Sequence, residues 1–203
     1  EMHPPGNAPT SSARAARAWY GAAIGDFLQT QPESVLGRLA TNGDFALLPT
    51  QRDAWLVQLK VLAASLKGLT GGLFLEFNIP RMGRRIDAVV LVGPVVFVVE
   101  FKVGESAFDR AAMDQVWDYA LDLKNFHEAS HAASIVPILV ATEAVASATP
   151  MSLRSDDDRV YWPVAVGTDG LRVVIDEALR SITGAAVDDH KWSCAPYHPT
   201  PSI

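Results

Sequence analysis

The sequence contains a single cysteine, Cys194, among 203 residues. The chain therefore cannot form an internal disulfide or a cysteine-based metal cage, and this cysteine usage is typical of a reducing compartment. No stretch reaches the roughly 18 consecutive apolar residues of a membrane helix, and the N-terminus lacks the basic start and apolar core of a signal peptide. We therefore expect a cytoplasmic protein without membrane contact, and the composition favours no particular oligomeric state.

Two common functional motifs are also missing, one for binding nucleotide phosphates and one for a catalytic serine. The sequence has neither the G-x-x-x-x-G-K phosphate loop nor the G-x-S-x-G serine elbow, which argues against nucleotide binding and serine catalysis of those kinds. The net charge of −6 argues against a protein that coats nucleic acid non-specifically. Residues 76–110 are balanced, with five cations and five acids, so a few phosphate contacts there remain compatible with the charge.

The apolar patterning predicts one α/β domain over residues 12–191, with a central mixed sheet flanked by helices. Residues 1–11 are rich in Pro and Gly and predict a disordered tail, and residues 192–203 predict a proline-rich linker. Strands are predicted at residues 73–79, 85–92, 95–103, 135–141 and 159–166. Helices are predicted at residues 12–29, from residue 32, from about residue 50 to 67, and at residues 107–131 and 169–181.

The most informative segment is residues 87–101, which predicts a β-hairpin with Gly93-Pro94 as its turn. If these two residues form the whole turn, Asp87 lies directly opposite Glu100. Opposed residues have Cβ atoms roughly 4.5–5.5 Å apart, and Lys102 shares the face of Glu100 because side chains alternate along a strand. Two carboxylates at this distance favour a divalent metal ion between them. The alternative is a structural ion triad in which Lys102 merely neutralises the acids.

Three further residues belong to this region. Glu76 lies on the preceding strand and is either a third carboxylate at the same end of the sheet or a solvent-facing glutamate. Gln115 and Tyr119 lie one helical turn apart on the inward stripe of the next helix. A buried amide and phenol require hydrogen-bond partners; these are either backbone groups in the core or the groups of a functional site.

His127 and His131 have the spacing of two zinc ligands on one helix face. The sequence offers no evident third ligand. The simpler interpretation is two histidines near a helix C-terminus, where a positive charge is favourable.

Asp87, Glu100-Phe101-Lys102 and Gln115-x-x-x-Tyr119, taken in this order and spacing, resemble the PD-(D/E)xK nuclease superfamily. The similarity is greatest to the RecB-like branch with a Q-x-x-x-Y motif and covers about residues 50–142. It departs from the common pattern in having Ile86 before Asp87 where many members have proline. The resemblance implies a restriction-endonuclease-like core, in which an antiparallel three-stranded meander is followed by a crossover helix and a further strand.

The resemblance also implies a mechanism. Asp87 and Glu100 would bind Mg²⁺ or Mn²⁺ together with the backbone carbonyl of Phe101, and Glu76 is a further candidate ligand. Lys102 would act on the attacking water. Gln115 and Tyr119 would position the water, the lysine or the substrate. Arginines of the turn before Asp87 would bind phosphates of the substrate or, alternatively, are surface residues that serve only solubility; they are Arg81, Arg84 and Arg85.

The implied activity is hydrolysis of phosphodiester bonds in nucleic acid, with DNA favoured over RNA. The amino-acid sequence around the motifs is also similar to the N-terminal region of certain bacterial proteins. Those proteins join such a domain to a helicase-like ATPase of the Schlafen group. This likeness implies an ATPase partner domain on the C-terminal side. The alternative is a catalytically silent module of the same fold that binds nucleic acid or a partner and regulates the ATPase.

Overall fold

The computed structural model describes residues 17–43, 48–145, 152–156 and 158–199. Its strands are β1 (Ala18–Ala23), β2 (Gly72–Ile79), β3 (Arg84–Val92), β4 (Val95–Lys102), β5 (Ser134–Ala141) and β6 (Val164–Val166). They form one sheet in chain order. Strands β1 to β4 are antiparallel, and β5 and β6 run parallel to β4.

The helices are α1 (Ile24–Gln29), α2 (Pro32–Asn42), α3 (Pro49–Ser65), α4 (Arg110–Phe126), α5 (Gly170–Ser181) and α6 (Asp189–Cys194). The core on one face of the sheet is shared with α1, α2, α3 and α5, and the core on the other face with α4 and α6. The predicted α/β class, with a mixed sheet flanked by helices, is thus confirmed. Among the residues described, no helix combines the length and apolar character needed to cross a bilayer.

The β3–β4 hairpin has the register that the sequence predicts. Val92 pairs with Val95 and Ala88 pairs with Val99, so Gly93-Pro94 forms the whole turn. Gly93 has a φ of 53°, which glycine adopts without the steric cost that a side chain would add. This tight turn determines the later pairs and places Asp87 across from Glu100 at the open end of the hairpin.

Helix α4 is the crossover that the parallel pair β4 and β5 requires. It begins after Asp109, whose side chain caps it by accepting a hydrogen bond from the Ala112 amide. It ends at Phe126, earlier than the predicted end at residue 131, and a 3-10 turn (Glu128–Ser130) follows. All eight residues of β5 are buried, as its near-continuous apolar run predicts.

The prediction of a helix over residues 12–29 is wrong for its central part. Residues Ala18–Ala23 form β1, which pairs antiparallel with β2. Without β1, strand β2 would present a row of unpaired backbone groups at the sheet edge, and this pairing outweighs the local helical spacing. The predicted tail, residues 1–11, lies outside the described residues.

The last predicted strand, over residues 159–166, is largely irregular. Only Val164–Val166 pair with β5 as a strand, and Val160 makes a single bridge to Ile135.

Residues 192–199 pack on the domain, whereas the sequence predicts a linker from residue 192. Trp192 is fully buried, and its ring centroid lies 4.9 Å from that of Phe77. Its indole N–H donates a hydrogen bond to Ser130 Oγ at 2.9 Å, and Tyr197 forms a β-bridge with the residue after α4. Proline-rich composition indicates weak helix and strand propensity, but it gives no information on the burial of one large side chain.

Trp192→Ala is expected to lower the free energy of unfolding by about 3–5 kcal/mol, because it removes a fully buried indole. Chemical denaturation followed by circular dichroism measures the change. Trp162→Ala is the matched control, since Trp162 is 56% exposed and its loss should cost at most about 1 kcal/mol. Equal destabilisation by the two variants would contradict the core position of Trp192.

Candidate active site

A local irregularity crosses β1, β2 and β3 at one level of the sheet. Residues two apart on a strand normally share a face, but Leu75 belongs to the core on the α3 side and Phe77 to the core on the α4 side. In β3, Ala88 likewise belongs to the core on the α3 side and Ile86 to the core on the α4 side. The positions at which the alternation breaks are Trp19, Glu76 and Asp87, which we call the irregular row.

Glu76 carries the backbone distortion of this row, with a φ of 52°. The left-handed region is uncommon for residues other than glycine, and strain of this kind concentrates at functional sites. The flanking pairs Leu75–Ala88 and Phe77–Ile86 keep their register, so Glu76 lies across from Asp87. Two adjacent strands therefore each contribute an acid at the same level.

Asp87 lies where the ladder between β3 and β4 ends. The last regular pair joins Ala88 and Val99. One residue further, the Asp87 carboxylate accepts a hydrogen bond from the Phe101 amide at 2.8 Å, in place of a backbone acceptor. The N–H and C=O of one strand residue point to the same side, so the Phe101 carbonyl also faces β3. The end of the ladder thus brings a carboxylate and a backbone carbonyl together.

Glu100 is the most buried acid of the site, at 5% exposure. Its Oε1 accepts hydrogen bonds from Gln115 Nε2 at 2.9 Å and from Lys102 Nζ at 3.5 Å. Its Oε2 is buried and has no hydrogen-bond partner among the described residues. Because an unpaired buried carboxylate oxygen is costly, this atom is an open position for a proton or a cation.

Both acids of the hairpin have raised pKa values. Burial raises the pKa of Glu100 to about 7, and the nearby Lys102 ammonium opposes this rise. Burial also raises the pKa of Asp87 well above its ordinary value, and the charge of Glu100 raises it further. Two desolvated carboxylates that repel each other favour the uptake of positive charge, which is the electrostatic signature of many functional sites.

Gln115 links Glu100 to Tyr119. Its amide group donates one hydrogen bond to Glu100 Oε1 and a second to Tyr119 Oη at 2.7 Å. Because the Tyr119 hydroxyl accepts this bond, its own proton remains available to another acceptor. Burial raises the pKa of Tyr119, so the phenol stays protonated near neutral pH. Gln115 therefore orients Glu100, whereas its contact to Lys102 is indirect.

Of the three arginines predicted to bind phosphates, Arg81 and Arg84 lie on or next to the β2–β3 turn. The Arg81 guanidinium stacks on the Phe126 ring, 3.4 Å from the ring centroid. Arg84 is exposed, and its charge opposes the rise in the pKa of Tyr119 that burial causes. The charge of Arg81 lies near Asp122 of α4, where it opposes the rise in the Asp122 pKa that burial causes.

Arg85, the third arginine, belongs to a cluster around Glu76. Glu76 Oε1 accepts a hydrogen bond from Trp55 Nε1 at 2.9 Å, and Oε2 accepts one from Arg85 Nε at 3.3 Å. The Arg85 guanidinium lies 4.0 Å from the Trp19 ring centroid, and Trp19 meets Trp55 edge to face. We call these four residues the Glu76 cluster. Both carboxylate oxygens of Glu76 are thus engaged on the α3 side, away from Glu100.

The number of free acids limits metal binding in this arrangement. Within the described ranges, no group of three or more His, Cys, Asp or Glu side chains is arranged to hold a metal ion. Asp87 and Glu100 supply two carboxylates, and Glu76 is engaged in its cluster. An ion at this place would therefore take its remaining ligands from the backbone or from water.

The two histidines with zinc-like spacing lie beyond the end of α4. His127 is fully buried, and its Nδ1 lies 2.8 Å from Ser130 Oγ. Burial lowers the pKa of His127 to about 4, so it is neutral at physiological pH. The expectation of a positive charge at the helix end is therefore wrong for His127, which lies in the core with its Nε2 buried and without a hydrogen-bond partner among the described residues.

No family model matches this chain, and no curated protein or solved structure matches it. No residue role can therefore be transferred from a relative. The candidate site depends on its own geometry, which joins Asp87, Glu100, Lys102, Gln115 and Tyr119 in one neighbourhood.

Sequence reasoning missed the part that Trp55 and Trp19 play. The helical spacing of Trp55 predicts only a core position, although a buried indole N–H normally requires an acceptor. That requirement, together with the nearby Glu76, is a signal that could have suggested the contact. Trp19 carried no comparable signal, because the sequence places it on a helix instead of β1.

Proposed function

We propose that this chain is a metal-dependent nuclease of the PD-(D/E)xK type, with a restriction-endonuclease-like core formed by β2 to β5 and α4. The observation that carries the proposal is the convergence of Asp87, Glu100 and Lys102 at the end of the hairpin, where Glu100 Oε2 is buried without a donor. A structural ion triad would leave this oxygen unpaired. A divalent cation would satisfy it.

The donor set fits Mg²⁺ or Mn²⁺, which prefer oxygen ligands. Asp87 and Glu100 would hold the ion, with the Phe101 carbonyl as a further ligand. Such an ion would supply Lewis-acid chemistry for the scissile phosphate. Its charge would also relieve the repulsion between the two acids, which is why their raised pKa values support a cation site.

The remaining residues position groups around the ion. The Lys102 side chain is 33% exposed, so its ammonium reaches from Glu100 toward solvent, where it would hold the attacking water and stabilise developing negative charge. Gln115 fixes the orientation of Glu100, and Tyr119 anchors Gln115. The free Tyr119 proton would be donated to a substrate oxygen or to the water.

The proposed substrate is nucleic acid, with DNA favoured over RNA. Arg81 and Arg84 are cations on the turn that leads into Asp87, and they would contact phosphates on either side of the scissile bond. Arg85 would join them only if it left Glu76. We also propose, from the sequence resemblance alone, that the domain works together with a helicase-like ATPase domain.

The test is incubation of the chain with single-stranded and duplex DNA and RNA in the presence of Mn²⁺ or EDTA. We expect cleavage with Mn²⁺, none with EDTA, and at least about a 10³-fold loss in Glu100→Ala, because one of two carboxylate ligands is removed. Tight binding without cutting would instead identify the catalytically silent module. Cleavage that persists in Glu100→Ala would contradict the assigned site.

A further inference from the structure

We propose that Glu76 is a third carboxylate ligand of the metal site, that Trp55 and Arg85 keep it engaged elsewhere, and that a substrate phosphate releases it by competing for Arg85. The inference rests on the proposed nuclease function, since it concerns the same site. It explains why two carboxylates converge on the candidate site although a third acid lies beside them in the sheet.

The first support is the position of Glu76. It lies across from Asp87, between the regular pairs Leu75–Ala88 and Phe77–Ile86, and Glu76 and Asp87 line one cavity together with Trp55. The Glu76 carboxylate is near enough to Asp87 and Glu100 that its negative charge raises the pKa of both acids further, in addition to the effect of burial. A change of side-chain rotamer at Glu76 would therefore bring its carboxylate toward Asp87.

The second support is the strain at this residue. Glu76 has a left-handed backbone in the middle of a strand, which costs on the order of 1–3 kcal/mol. This conformation turns the side chain toward α3, where Trp55 and Arg85 hold it. These contacts offset the strain only in part, because a partly exposed ion pair contributes little and the Trp55 N–H adds one ordinary hydrogen bond.

The third support is the weakness of the Arg85 contact. Arg85 donates a single hydrogen bond of 3.3 Å to Glu76, and its side chain is 35% exposed. A phosphate accepts two parallel hydrogen bonds from a guanidinium and forms a shorter, stronger pair. A phosphate of bound nucleic acid can therefore displace Glu76 from Arg85. The fully engaged metal site would then form only when substrate is present.

The first experiment is a double-mutant cycle on Mn²⁺ affinity, measured by calorimetry on the full chain. Arg85→Met keeps an aliphatic stem against Trp19 but removes the hydrogen bond and charge that hold Glu76. It should tighten Mn²⁺ binding about tenfold, which corresponds to about 1.4 kcal/mol. Glu76→Gln should change the wild-type affinity by only about twofold but abolish the whole gain in the Arg85→Met background.

Arg84→Met is the matched control, since it removes the same charge from the neighbouring residue without touching Glu76. If the gain came from through-space electrostatics alone, the two arginine variants would tighten binding equally and Glu76→Gln would have the same effect in every background. That additive result would overturn the proposal while leaving the nuclease assignment intact. Failure of the wild-type chain to bind Mn²⁺ in a manner that depends on Asp87 would overturn the nuclease assignment itself.

The second experiment tests release by phosphate in the wild-type chain and uses variants of the cluster only for assignment and as a reference. The Trp55 indole N–H, assigned by its loss in Trp55→Phe, is followed by ¹H–¹⁵N NMR while a single-stranded oligonucleotide is added in EDTA, where no cleavage occurs. We expect its resonance to move toward its position in Arg85→Met, and to stay unchanged when the oligonucleotide is added to that variant. Binding of the oligonucleotide without a change at Trp55 would overturn release by phosphate.

Discussion

Lys102→Ala is expected to lower the cleavage rate by about 10³-fold while the chain still folds and binds Mn²⁺. The loss follows from removing the group that holds the attacking water and offsets the developing charge, and such groups contribute about 10²- to 10⁴-fold. Metal affinity should be unchanged or tighter, because the Lys102 ammonium lies 3.5 Å from Glu100 Oε1 and competes with a cation there. Single-turnover cleavage assays and Mn²⁺ calorimetry on the same preparation measure the two effects.

The matched control for this prediction is Lys67→Ala, an exposed lysine after α3. It should cut at the wild-type rate. If Lys102→Ala also cuts at the wild-type rate, the role assigned to Lys102 is wrong. If instead Lys102→Ala unfolds and the wild-type chain binds no metal, the ion triad that the sequence left open is the better description.

Glu100→Gln is expected to abolish Mn²⁺ binding and to change how the stability of the metal-free protein depends on pH. The pKa of Glu100 is raised from its ordinary value of 4.5 to about 7 by burial, so the folded state binds this proton more tightly than the unfolded state. The free energy of unfolding of the wild type must therefore fall as pH rises from about 4.5 to about 7. The expected loss is on the order of 3 kcal/mol, and the raised pKa of Asp87 acts in the same direction.

Thermal denaturation in EDTA between pH 5 and pH 8 measures this effect. The wild-type melting temperature should fall by about 10 °C over this range. Glu100→Gln should remove the part of the fall that comes from Glu100, because the amide carries no titrating proton, and leave the part that the raised pKa of Asp87 contributes. Saturating Mn²⁺ should stabilise the wild type more at pH 8 than at pH 5, since the ion binds the deprotonated acids. Glu105→Gln changes an exposed acid after β4, and it should follow the wild type in every condition.

The β3–β4 hairpin could be predicted in detail because its determinants are local. Two apolar runs of matched length flank Gly93-Pro94, and a two-residue turn leaves one register. From that register the opposition of Asp87 and Glu100 and the common face of Glu100 and Lys102 follow by alternation alone. The sequence placed Gln115 on the inward stripe of its helix but did not predict its contact with Glu100, since that contact depends on how α4 crosses the sheet.

The errors occur where one distant contact outweighs a local tendency. The segment Ala18–Ala23 has helical spacing, yet it forms β1 because the edge of β2 is available. Trp192 sits in a proline-rich segment, yet its indole fills a space against Phe77 and Ser130. In both cases the partner is about fifty residues away or more, so the neighbouring residues in the sequence give no sign of the contact.

The sequence by itself determined the α/β class, the hairpin register and the placement of two acids and a lysine at one strand end, because all of these depend on periodicity and one turn. Only the tertiary structure decided that Glu76 turns toward Trp55 and Arg85, and that Glu100 Oε2 is buried with no partner in the part of the chain that the structure describes. The physical reason is that orientation and desolvation arise from packing between elements far apart in the chain. The alternation of a strand predicts the face of a side chain, and at Glu76 the left-handed backbone breaks that alternation.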